Sequence, residues 1–184
     1  MVVAVTGVAG TLLAPLLAAR SQARGLAADF ARQQTALMVQ WEREKERDDL
    51  TQRRACYIAT NAAFRRYRTQ LLEYLWWTRL GTADAEQRQV VEDARHDHHA
   101  ALGEAQMVAS PAVLDELDSV ARLLSDTYRR IMLLGEGNPE PGWSFDEIEN
   151  HLIWLWERWK KMRAVMRADL GVIDAASVRQ DSDE

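Results

Sequence analysis

The sequence predicts an all-α protein, an antiparallel four-helix bundle whose long first helix extends toward an N-terminal hydrophobic segment. Three observations predict it. Ser21 to Leu80 contains no proline and only one glycine, Gly25. Further along, apolar residues recur three and four positions apart, the spacing that gathers them on one helix face. Between these segments stand stop and start signals: Gly81, Ser110 with Pro111, the proline- and glycine-rich Gly135 to Gly142, and Gly171. Helices joined by such short connections pack as antiparallel neighbours.

A chain of 184 residues, 47% hydrophobic and 28% charged, is long enough for one ordered domain with a real core. Its formal charge of -5 argues against an electrostatic grip on nucleic acid. The single cysteine, Cys56, excludes an internal disulfide and a cysteine-based zinc cluster, and it reads as a small buried hydrophobe. The expected layout is a transmembrane anchor over 1–19, an amphipathic and charged helical stalk over 20–54, the bundle over 55–171 and an acidic tail over 172–184.

Met1 to Ala19 carries no charge, and its only polar side chains are Thr6 and Thr11. That length just meets the requirement for a span, and Gly7, Gly10 and Pro15 are tolerated in membrane helices. A signal peptide fits less well, because no basic residue precedes the run. If the run spans, Arg20, Arg24 and Arg32 against Asp29 place the following domain on the cytoplasmic side of the inner or cytoplasmic membrane. The alternative is a soluble cytoplasmic protein with a disordered or packed hydrophobic leader.

In the long helix, Leu26, Phe30, Leu37 and Trp41 recur at helical spacing around Gln33 and Gln34, a stripe suited to a partner helix. Glu42 to Arg54 is almost wholly charged and reads as a solvated connector. From Ala55 a broad apolar face begins, comprising Cys56, Ile58, Ala59, Ala62, Ala63, Phe64, Tyr67, Leu71, Leu72 and Tyr74 to Trp77. Gly81 suits the end of this helix, and Thr82 is placed to cap the next.

The second helix, from about Ala83 to Val108, has a thin apolar face: Val91, Ala94, Ala101, Leu102, Ala105 and Val108. Its acids should pair with the arginines of the preceding helix, although exposed pairs contribute little each. Ser110 and Pro111 open a third helix with Val113, Leu117, Val120, Leu124, Tyr128, Ile131 and Leu134 on one face. Ser144 and Glu147 form a capping box, with Trp143 and Ile148 at the staple positions. The fourth helix would bury Ile148, Leu152, Leu155, Trp159, Met162 and Met166.

Candidates for chemistry are few. Asp93, His96 and His99 lie a helical turn apart and are the weak candidates for metal ligands, with His98 between them and no His-Glu-x-x-His or Glu-x-x-His motif. No serine nucleophile motif, phosphate loop or dinucleotide fingerprint occurs, so no cofactor is expected and an enzyme is the lesser expectation. Trp154, Trp156 and Trp159 cannot share one narrow helix face, because a two-residue step turns the side chain away. Trp154 and Trp156 therefore join Phe30, Leu37 and Trp41 as candidate interaction residues. In composition and layout the chain resembles uncharacterised actinobacterial helical proteins, in which a short hydrophobic leader precedes an arginine- and alanine-rich helical domain. That resemblance implies no catalytic residues. The expected function is a membrane-tethered protein-interaction or scaffold protein with a protein partner or a second copy of itself. The alternatives are a metal-dependent helical-bundle enzyme and a soluble regulatory or defence-associated component.

Overall fold

A computed structural model describes Thr6 to Val172, with side chains described for Leu26 and from Asp29 onward. The first five residues of the expected span, and residues 173–184 of the expected tail, lie outside the described residues. Among the described residues there are four helices: α1 Thr6–Leu80, α2 Ala85–Val108, α3 Pro111–Gly135 and α4 Phe145–Asp169. Among the described residues there is no strand. The all-α class is therefore as expected, and residues 21–80 belong to one uninterrupted helix. Among the described residues no helix is long and apolar enough to cross a membrane. The chain divides into two compact units, Met1–Asp48 and Asp49–Glu184.

The helix ends follow local chemistry. Gly81 takes φ 67°, a left-handed conformation that costs glycine nothing, and the Thr82 N–H then bonds back to the Trp77 carbonyl at 3.0 Å. The cap of α2 is two residues later than the sequence suggested. Asp84, not Thr82, accepts from the Gln87 N–H at 2.8 Å, while its own N–H donates to the Gln87 side chain at 3.0 Å. A carboxylate offers two acceptor oxygens at the positive helix end, which a threonine hydroxyl cannot match. The fourth helix opens as expected, with the Ser144 N–H donating to the Glu147 carboxylate at 3.1 Å.

In the second unit, contacts between α1 and α4 run in opposite senses along the chain. Arg53 and Tyr57 meet Asp169, Phe64 stacks on Trp159, Arg68 donates to the Leu152 carbonyl, and Arg79 meets Asp146. Between α1 and α2 the order also reverses, from Thr60 with Ala101 to Arg66 with Asp97. Within this unit α1 thus runs opposite to both α2 and α4. The core holds Phe64, Tyr67, Leu71 and Leu75 of α1, Leu124 and Ile131 of α3, and all six residues expected of α4. The Phe64 and Trp159 rings lie 3.9 Å apart and nearly parallel.

Two expectations about burial need correction. The apolar face from Ala55 is only partly core: Ile58 is 63% exposed, and Ala59, Ala62 and Trp76 are also exposed. One helix face can meet only the neighbours that flank it, and α1 is covered by α2 and α4 along a narrower arc than its apolar content. On α3, Tyr128 and Leu134 are half-buried, and Thr127 and Met132 take buried places that the apolar spacing did not assign. Cys56 is buried, as expected of a small hydrophobe.

Candidate interaction surfaces and a buried polar cluster

The expected interaction residues fall into two environments. In the first unit Phe30, Leu37 and Trp41 stand between 61% and 65% exposed along α1, and Leu26 and Met38, not among the expected interaction residues, are exposed on the same helix at 72% and 65%. Their helix is supported locally: Gln40 donates to Glu44 at 2.9 Å, and the Lys45 ammonium lies 5.7 Å from the Trp41 ring. In the second unit Trp154 is 48% exposed beside Ile153, with the His151 ring 5.2 Å away. Trp156 is different, being half-buried with the Arg65 and Arg68 guanidiniums 5.8 Å and 5.4 Å from its ring. Such cation–π contacts give Trp156 an internal use, clamping α4 to α1.

The arginines of α1 do not chiefly pair with α2. Arg66 does so, with Asp97, but Arg53 and Arg79 reach carboxylates of α4. Opposite charge is plentiful on both neighbours, and sequence cannot say which one a given arginine faces. Asp169 gathers three donors, accepting from Tyr57 Oη at 2.7 Å, from the Arg53 guanidinium at 3.4 Å and from the Ser110 hydroxyl. Burial would raise its carboxyl, but these donors outweigh it and hold the group below the usual carboxylate range. Burial first, and then the bond to Asp169, push the Tyr57 phenol up to about 12.

Asp93, His96 and His99 all lie on the exposed side of α2, where Asp93 accepts from Gln89 at 2.8 Å. Among the described residues no group of three or more His, Cys, Asp and Glu side chains could hold a metal ion. The histidine that matters structurally is the one between them. His98 is 3% exposed and faces Tyr67 of α1 at 5.5 Å between ring centroids. Burial, with the neighbouring His99 adding to it, pushes its pKa down to about 4.

Around His98 gathers a polar cluster at the junction of α1, α2 and α3. Glu92 accepts from the Tyr128 hydroxyl and, at 3.2 Å, from Arg95, whose guanidinium also lies 4.6 Å from the Tyr128 ring. Burial would raise the Glu92 carboxyl, but these two donors and nearby positive charge bring it below its ordinary value. Tyr67 Oη, Arg95 Nε and His98 Nδ1 are buried without a hydrogen bond from another protein group. The sequence signal for this cluster existed, since His98 continues the Val91, Ala94, Ala101 and Ala105 face, but histidines beside it drew attention to the wrong side of the helix. No family model, curated protein or solved structure matches this chain.

Proposed function

We propose that the chain is a membrane-tethered interaction or scaffold protein whose docking surface is the apolar face of α1 in its first unit. The observation that carries this reading is the exposure of Leu26, Phe30, Leu37, Met38 and Trp41 along one helix. Burying a side chain of this size stabilises by about 1.5–3 kcal/mol, so a partner helix covering several of them gains enough to offset the cost of association. Gln33, Gln34 and the opposite charges from Glu42 onward keep the helix soluble and give a partner polar groups to match. The uncharged run Met1 to Ala19 supports the tether, and the arginines that follow it support a cytoplasmic domain.

The docking surface is tested with a photoreactive side chain in place of Gln34 in cells, comparing the full chain with its Leu37→Ala/Trp41→Ala variant. The double variant should lose its crosslinked partner while melting at the same temperature, because both residues are exposed. Unchanged crosslinking would sink the reading. Carbonate extraction of membranes tests the tether separately: the full chain should stay with the membrane, and a chain starting at Ser21 should be released.

A further inference from the structure

The cations of the second unit are not spread evenly around it. On α4, Ile153, Trp156, Lys160, Arg163 and Arg167 follow one another at three or four positions, so they share one face. Lys160, Arg163 and Arg167 border a recess of about 330 Å³ there. On α1, Arg54, Ile58 and Arg65 share a face by spacings of four and seven. Arg53 meets Asp169, and Arg65 lies over the Trp156 ring, so the two stripes run side by side along the seam between α1 and α4.

Much of this charge is uncompensated. Among the described residues Arg54, Arg65 and Arg163 make no ion pair, and the acid beside them, Glu157, is bonded to Lys160 at 2.8 Å. Ile58 and Ile153 stand 63% and 55% exposed among these cations. Since α1 touches α2, α2 touches α3, and α3 touches α4, the α2–α3 side lies across the bundle from the seam. It has the reverse sign: its exposed acids, Asp93, Asp97, Glu104, Asp115 and Asp118 among them, outnumber the exposed Arg88, Arg122 and Arg129. An anionic surface therefore attracts one side of the unit and repels the other, which orients it.

We propose that the α1–α4 seam docks the second unit on an anionic membrane surface. Arg54, Arg65, Lys160 and Arg163 meet lipid phosphates and carboxylates, while Ile58 and Ile153 enter between the headgroups. The exposed isoleucines favour lipid over nucleic acid, whose phosphate backbone offers partners to cations but none to an apolar side chain. This surface is separate from the apolar face of α1 in the first unit, and it operates with or without the tether.

Lys160 supplies the probe, since it lies on the seam, whereas its neighbour Lys161 turns away to Glu116. Acylation of both lysines in the full chain is followed by mass spectrometry on two kinds of vesicle, phosphatidylcholine alone and equal parts phosphatidylcholine and phosphatidylserine. Lys160 should react about fivefold slower on the anionic vesicles, and Lys161 nearly as fast as on the neutral ones. A tether holds the chain on both kinds of vesicle, so its failure shows separately, as loss of the chain from the neutral ones. Each cation near an anionic surface contributes about fivefold, so Arg54→Glu/Arg163→Glu should weaken docking by about 25-fold or more and release Lys160. Arg88→Glu/Arg122→Glu, with the same change in net charge, should leave the protection intact. Equal Lys160 rates on the two vesicles overturn the proposal, as does protection that survives in the seam variant or fades equally in the other. Protection by single-stranded DNA as strong as by the anionic vesicles overturns the choice of lipid. Protection that rises with protein concentration without vesicles also overturns it, because the acidic side of a second copy then covers the seam.

Discussion

Acid should destabilise the bundle through His98 before its carboxylates titrate. The folded protein holds this histidine with a pKa of about 4, from an ordinary value of 6.5 in the unfolded chain. The unfolded state therefore takes up the proton first, so the stability is fully present above pH 6.5 and is lost as pH falls toward 4. At about 1.36 kcal/mol per unit, the whole shift amounts to roughly 3 kcal/mol, of which about 2 appears between pH 7 and pH 5. His98 is 3% exposed, so solvent screening removes little of this. The groups facing it are Tyr67 from α1, Tyr128 and Glu92 close to Tyr67, and Arg95 and His99 on its own helix. None offers an acceptor to Nδ1. Glu92 and Asp169 have lowered carboxyl pKa values, so their contributions are lost only below the ordinary carboxylate value of about 4. The assay is urea unfolding at pH 7 and pH 5 for the native chain and for His98→Phe, which keeps a ring and removes the titrating group. The native chain should lose about 2 kcal/mol or more, since His99 and His151 are shifted in the same direction, and the variant should lose about 2 kcal/mol less. An identical loss in both proteins would refute the reasoning.

Trp159→Ala removes the largest fully buried side chain and its stack with Phe64, and should cost about 3–5 kcal/mol in urea unfolding, as large aromatic truncations do. Asp84→Ala should cost about 1 kcal/mol by the same measurement, whereas Thr82→Ala should cost much less, because Asp84 is the residue that caps α2.

The elements that sequence rendered well are those whose signals are local. Ser144 and Glu147 lie three residues apart and needed only each other, and the α4 core face followed because its six large apolar residues recur three and four positions apart along one stripe. The first helix was harder. The lack of proline and the single glycine from Ser21 to Leu80 allowed one long helix but left open whether it was one helix or two, and did not say which of its apolar residues meet a neighbour. Ile58 and Phe64 are equally apolar in the sequence, yet one is 63% exposed and the other fully buried. That difference depends on where α2 and α4 lie. The polar cluster was hidden for the same reason: Tyr67, Glu92, Arg95, His98 and Tyr128 come from three helices, and only packing brings them together.

Packing also ranks the helices by how firmly each is held. The buried face of α4 consists of Ile148, Leu152, Leu155, Trp159, Met162 and Met166, whereas that of α2 consists of Val91, three alanines and His98. At about 1.5–3 kcal/mol for each large apolar side chain buried, six such residues hold α4 and one holds α2. The polar contacts of α2 do not redress the difference. The Arg66–Asp97 pair is more than half exposed, where ion pairs contribute little, and the Thr60 bond to Ala101 is long at 3.4 Å. The Tyr128 contacts with Glu92 and Arg95 tie α2 to α3 at one point, worth about 1.5–3 kcal/mol against the five further large side chains of α4. α2 should therefore open before the rest of the bundle, with hydrogen exchange at Ala94 to Ala105 faster than at Leu152 to Met162 under native conditions. Lowering pH from 7 to 5 should widen the gap, after correction for intrinsic exchange rates, because protonated His98 favours the opened helix. Equal protection of the two segments at both pH values would mean that α2 is held by something other than its buried face.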